Sequence, residues 1–132
     1  MNHTIERARY ADGGDPTQAA DHAAQALIDS LTGEYVPSEV DSLLFIRDDQ
    51  GIASMVVWQP WNGGMFVGIA WTRRDRRGQG LYRSLIEQLK VIAKLENFST
   101  ISVGVYPSNT RSLEVHEAIG FVRSAIYLEL QP

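Results

Sequence analysis

The chain reads as a mixed α/β fold: a mainly antiparallel sheet with a central parallel β-α-β unit, flanked by helices. Three observations carry that reading. Residues 42–47 (SLLFIR), 52–58 (IASMVVW) and 65–72 (MFVGIAWT) are rich in strand-forming side chains and separated by the turn sequences Asp49-Gln50-Gly51 and Asn62-Gly63-Gly64. Connections that short join antiparallel neighbours. Beyond them the period changes, because Leu81, Leu85, Leu89, Ile92 and Ala93 mark one face of a long helix. Residues 100–106 (TISVGVY) then form a strand that returns parallel to 65–72, since a crossover through a helix is parallel and right-handed.

The remaining elements follow from local signals. A short strand over 4–10 precedes the turn-rich stretch 11–16 (ADGGDP). Thr17 is placed to cap a helix over 18–31, on which Ala19, Ala23, Ala24, Leu27 and Leu31 recur at helical spacing. Residues 33–41 are irregular. Asn97 is positioned to end the long helix. A last helix spans 108–119, Gly120 ends it in the left-handed conformation, and 121–130 supply one or two closing strands.

A length of 132 residues suits a single domain over 1–132, and 44% hydrophobic with 21% charged residues is an ordinary globular balance. The absence of cysteine excludes disulfides, thiolate metal sites and a cysteine-bound intermediate. No apolar run reaches the ~20 residues of a membrane span, and the start MNHTIERARYADGG lacks the regions of a signal peptide. A cytoplasmic protein with no membrane partner is expected. The net charge of −4 speaks against a general nucleic-acid binder. Nevertheless four of the 12 Lys and Arg residues lie in Arg73-Arg74-Asp75-Arg76-Arg77.

That run precedes Gly78-Gln79-Gly80 and the start of the long helix. A helix N-terminus presents unpaired N–H groups and partial positive charge; glycines let an anion approach the backbone, and arginine adds bidentate hydrogen bonds to phosphate. In the parallel unit this turn and the turn at 107–109 open on the same sheet edge, where open α/β sheets bind ligands. A phosphorylated ligand follows. A nucleotide P-loop would need a Gly-Lys-Ser/Thr ending, and a dinucleotide fingerprint would need glycine where Arg83 stands; neither is present.

The segment Trp71-Thr72-Arg73-Arg74-Asp75-Arg76-Arg77-Gly78-Gln79-Gly80-Leu81 resembles the coenzyme-A loop of the GNAT acyltransferase superfamily. Residues 109–121 (NTRSLEVHEAIGF) resemble that family's second motif. The resemblance covers roughly residues 65–121 and implies an N-acetyltransferase that uses acetyl-CoA and an amine acceptor. By the same resemblance Ala70, Trp71 and Thr72 line the pantetheine arm, while Arg77, Gly78, Gln79, Gly80, Leu81 and Tyr82 surround the pyrophosphate. Arg73, Arg74 and Arg76 are candidates for the 3′-phosphate, Asn109 and Ser112 face the coenzyme, and His116 is the catalytic candidate. Two departures stand out. The loop usually ends in Gly or Ala where this chain has Tyr82, so that side chain must point away from the phosphates or the phosphates must shift. His116 stands where a tyrosine often protonates the departing sulfur; members resembling phosphinothricin acetyltransferase share the histidine, which implies small amino-acid-like acceptors.

Each residue also has a structural reading. The glycines could form a plain turn, the arginines a solvated run or an RNA contact, and Asn109 or Ser108 a helix cap. His116 could be a partly buried structural histidine, and Trp58, Trp61 and Trp71 core or hairpin aromatics. The proposed chemistry is direct transfer in a ternary complex, with His116 aiding thiolate departure and Glu34, Asp41, Glu114 or water as base. Peptide amines remain open as acceptors, and a non-catalytic acyl-CoA sensor is the alternative class. The short C-terminus is compatible with a homodimer that shares sheet edges.

Overall fold

A computed structural model describes residues 5–9, 42–124 and 128–132. The predicted helix over 18–31 and the stretch 33–41 lie outside the described residues. Strands β1 (Ile5–Arg9), β2 (Ser42–Asp48), β3 (Gly51–Trp61) and β4 (Gly64–Thr72) are followed by a single 3-10 turn (Arg74–Arg76). Helix α1 (Leu81–Leu95), strand β5 (Ile101–Val103) and helix α2 (Thr110–Ile119) complete the order.

The five strands lie in sequence order across one sheet. The pairs β1–β2, β2–β3 and β3–β4 are antiparallel, as the short turns require, and β4–β5 is parallel, joined through α1. Alternation along β2 divides its side chains between the faces: Leu44 and Ile46 join one buried cluster, Leu43 and Phe45 the other. Helix α1 closes the first cluster. Its apolar face (Leu81, Leu85, Ile86, Leu89, Ile92, Ala93) is buried against Leu44, Ile46, Val56, Trp58, Met65 and Val67, and each such Leu or Ile contributes about 1.5–3 kcal/mol. Asn97, with φ 61°, follows the last turn of α1 in the left-handed conformation, and Gly120 (φ 118°) terminates α2 in the same way. Among the described residues no helix is long and apolar enough to cross a membrane.

Two irregularities shape the edge that matters. Val57 pairs with Ile69 but Trp58 pairs with Val67, so Gly68 is an extra residue that bends β4. The parallel ladder to β5 covers only Met65, Phe66 and Val67, ending at the residue before that bulge. From Gly68 to Thr72, β4 continues along β3 while its other edge has left β5. Hence the strand predicted over 100–106 is only Ile101–Val103: past Val103 there is no ladder partner to hold it extended. The closing strands predicted over 121–130 are likewise not seen in the described residues, since 121–124 and 128–130 pair with nothing in the sheet, and Val122, Leu128 and Leu130 are exposed.

Candidate active site

The divergence of β4 from β5 opens a gap between two chain segments that each lead into a helix. After β4 the chain passes through Arg73 and the 3-10 turn into α1; after β5 it passes through 104–109 into α2. The end of β4 is tied down on its β3 side. Ser54, wholly buried, donates from Oγ to the Trp71 carbonyl at 3.0 Å, stands 2.8 Å from the Thr72 hydroxyl, and the Arg73 amide donates to the Ala53 carbonyl at 2.8 Å. Ala70, Trp71 and Thr72 thus form a fixed strand end whose other edge is unpaired among the described residues, the kind of edge to which a peptide-like chain can add.

The turn itself is built by ion pairs. Arg73 reaches Asp48 on the β2–β3 hairpin, Nη1 to Oδ1 at 3.1 Å, and its Nε donates to Asp75 at 2.6 Å. Arg76 also pairs with Asp48, and its Nε donates to the Gln79 side chain at 2.8 Å. Hydrogen bonds from Arg73, then from the Gln50 amide and Arg76, hold the Asp48 carboxyl well below the usual carboxylate range. Arg73 and Arg76, expected as contacts for a 3′-phosphate, are therefore committed to Asp48, and of the three candidates Arg74 is the exposed arginine with no ion pair among the described residues. Arg77 is exposed as well; its Nε donates to the Thr72 carbonyl at 3.0 Å, which fixes the stem, and among the described residues it forms no ion pair.

At the start of α1, Gly78 (φ 75°) and Gly80 (φ 79°) are both left-handed, a conformation side chains rarely adopt. A Cβ built on either would meet nothing within 4 Å, so backbone conformation, not crowding, requires glycine, and open space lies over both. Gly80 is the N-cap and offers no side chain to the first turn. The amides of Leu81, Tyr82 and Arg83 precede the first helical bond, from the Ser84 amide to the Gly80 carbonyl, which leaves donors and the positive end of the helix dipole at the end of the loop that carries Arg77. Leu81 contributes only backbone, since its side chain is in the core.

Tyr82 resolves the first departure. Its ring packs against the core cluster, and Oη lies 2.7 Å from His116 Nε2 on α2. Burial pushes the phenol up to about 12. His116 Nδ1 is 2.7 Å from the Ser112 carbonyl and 3.3 Å from Ser112 Oγ, and its ring meets those of Tyr82 and Phe121 edge-on at 5.4 and 5.3 Å. Asn109 is the cap of α2: Oδ1 accepts from the Ser112 amide at 3.2 Å. The geometry therefore gathers Asn109, Ser112, His116 and Tyr82 in one chain of contacts, while in the loop Arg77 is tied to the Thr72 carbonyl and Gln79 to Arg76, with Gly78 and Gly80 on either side of Gln79.

A family model described as acetyltransferase (GNAT) family matches residues 6–121. The chain belongs to the GNAT acetyltransferase family. As a member it is an acyl-CoA N-acetyltransferase with acetyl-CoA as donor, and the capless helix start with its two left-handed glycines suits the diphosphate of that donor. Solved GNAT structures share the fold across nearly their whole length. Aminoglycoside N-acetyltransferase AAC(6′)-Iy in complex with CoA superposes with a TM-score of 0.73 at 15% identity, covering 98% of each chain. Ribosomal-protein-alanine N-acetyltransferase from Brucella melitensis biovar Abortus 2308 gives 0.72 at 15% identity over 98% of this chain and 99% of that one. A transcriptional regulator from Bacillus halodurans C-125 gives 0.67 at 17%, with the same coverage. No curated protein matches the sequence significantly.

Sequence reasoning missed two features of this GNAT site. Asp48 lies 25 residues from Arg73 and was hidden in an ordinary hairpin turn signal. The Tyr82–His116 contact spans 34 residues; its one visible sign was a bulky residue where the family's loop usually ends in Gly or Ala.

Proposed function

We propose that the chain is a cytoplasmic enzyme that moves the acetyl group of acetyl-CoA directly to the primary amine of a small, amino-acid-like molecule. The observation that carries the reading is the start of α1: two left-handed glycines under open space, a first turn with no side-chain cap, and the exposed Arg77 guanidinium anchored at its Nε. In this reading the diphosphate rests on the amides that follow Arg77-Gly78-Gln79-Gly80, those of Leu81 and Tyr82 included. The pantetheine arm runs beside Ala70, Trp71 and Thr72, where β4 has left β5. Asn109 and Ser112 face the coenzyme from the start of α2, and His116 works at the sulfur end. The amine attacks the thioester carbonyl without an acyl-enzyme. The histidine in the second motif favours small acceptors, and the two acetyltransferases named above, for an aminoglycoside and a ribosomal-protein alanine, also act on amines.

Thiol release from acetyl-CoA, measured across amino acids, polyamines, aminoglycosides and peptides, tests the proposal; turnover is expected with a small amine. Turnover only with peptides would refute the acceptor class. A likeness to a transcriptional regulator supports one other reading, a coenzyme-A-responsive module, which would bind CoA and release no thiol with any amine.

A further inference from the structure

The turn that carries Gly78 and Gly80 has little packing to hold it. Both glycines are left-handed, and a Cβ on either would meet nothing within 4 Å, so no neighbour fixes their backbone. Glycine itself takes positive and negative φ about equally. Gln79 stands between them and is exposed, so it brings no buried anchor. What it brings is hydrogen bonds: Oε1 accepts from Arg76 Nε at 2.8 Å, and Nε2 donates to the Asp75 carbonyl at 3.4 Å. A guanidinium only donates, which settles the orientation of the amide.

Arg76 is fixed in turn. Its side chain, 13% exposed, pairs with Asp48, and both oxygens of that carboxylate accept twice. Oδ1 takes the Gln50 amide at 2.9 Å and Arg73 Nη1 at 3.1 Å; Oδ2 takes Arg73 Nη2 and Arg76 Nη1. Asp48 is the last residue of β2 and pairs with Gly51 across the hairpin. A line of side chains, Asp48 to Arg76 to Gln79, therefore runs from the sheet to the one residue between the two glycines.

We propose that Gln79 is a positioning residue: its side chain, braced through Arg76 on Asp48, holds the turn in the shape that receives the coenzyme's diphosphate. The inference rests on the acetyl-transfer reading above, and it gives the Gln79 side chain no contact with the coenzyme. A turn already ordered in the free protein loses little further conformational freedom when the ligand arrives. The charge of Asp48 makes the role distinguishable. A carboxylate repels a diphosphate, so if Asp48 acted through its field, Asp48→Asn would tighten coenzyme binding. As a brace it must weaken binding, because the new amide keeps one acceptor oxygen and turns a donor toward partners that also donate.

Gln79→Met keeps the length of the side chain and removes its acceptor. Its Kd for coenzyme A, by isothermal titration calorimetry, is expected to rise ~5- to 30-fold, the factor that ordering one backbone residue on binding amounts to. KM for acetyl-CoA should rise in step while kcat changes less than about threefold. The variant should melt within about 2 °C of the parent, as for other exposed side chains. Asp48→Asn should weaken binding by a similar factor, and the double variant by no more than the worse single one, since both remove the same brace. In the free protein the {¹H}–¹⁵N NOE of the Gly78, Gln79 and Gly80 amides should fall in both variants, a sign of faster local motion. Unchanged amides in Gln79→Met, tighter binding in Asp48→Asn, or losses that multiply in the double variant would each overturn the brace. A parent chain with no affinity for coenzyme A overturns the acetyl-transfer reading and the inference with it, whereas a parent that binds and a Gln79→Met that binds equally well overturn the brace alone.

Discussion

Replacing Gly80 with alanine separates what the helix start owes to its own conformation from what it owes to a ligand. At φ 79° the left-handed backbone costs an L-residue about 1–2 kcal/mol, and the added methyl meets nothing within 4 Å, so no clash adds to that figure. Gly63→Ala is the matched control: φ is 75°, and the nearest atom to its Cβ is Ser99 Oγ at 3.8 Å. It sits in the β3–β4 turn, at the opposite end of β4 from Arg77. Each variant should melt about 4–7 °C lower, the shift that 1–2 kcal/mol produces in a domain of this size. Only Gly80→Ala puts a methyl where a diphosphate would lie and turns the amides beneath it. Losing one charge-assisted hydrogen bond costs about 1.5–3 kcal/mol, so its Kd for coenzyme A should rise ~10- to 150-fold by isothermal titration calorimetry. Gly63→Ala should bind as the parent does. Equal melting losses with unchanged affinity in Gly80→Ala would remove the pyrophosphate from this turn.

Asp48→Asn should weaken the anchoring of the 73–76 turn to the β2–β3 hairpin, raising KM for acetyl-CoA with kcat nearly unchanged in steady-state kinetics. Asp48 also carries a pH signature: because its carboxyl is held low in the folded chain, chiefly by Arg73, the stabilisation it supplies is full above the ordinary aspartate value near ~4 and is lost as pH falls through the lower folded value. Melting temperature should therefore fall less steeply below pH ~4 in Asp48→Asn than in the parent, and parallel curves would refute the assignment. Leu85, 0% exposed at the centre of the α1 face, should cost about 2–5 kcal/mol when cut to alanine, read as a lower urea midpoint at constant m.

The elements that could be read from sequence are those whose signals are local. The strands β2 to β4 are specified by alternation and two turns, α1 by a 3.6-residue period, and the ends of α1 and α2 by Asn97 and Gly120, which do take positive φ. Residues that touch the loop through their own backbone, Gly78 and Gly80, were legible for the same reason. What could not be read are pairings between distant segments. Nothing near Arg73 says that its charge is spent on Asp48, and nothing near His116 says that Tyr82 reaches it. The overestimate of β5 has the same origin: TISVGVY is good strand sequence throughout, but a ladder needs a partner, and the bulge at Gly68 takes the partner away after Val67.

That bulge links fold to chemistry. A parallel pair that stayed in register past Val67 would satisfy the backbone of β4 internally and leave no slot between the helices that follow. By departing at Gly68 the sheet gives up a few ladder hydrogen bonds on one edge, each worth about 0.5–1.5 kcal/mol net, and the loss is contained because the other edge stays paired to β3, with Ser54 and Ala53 holding Trp71, Thr72 and Arg73. Beyond it, the start of α1 and the last turn of α2 are joined by side chains, the Tyr82 hydroxyl lying 2.7 Å from His116. The tyrosine thereby ties the first turn of α1 to the last turn of α2 through the His116 ring, a contact that the family's usual small residue could not make.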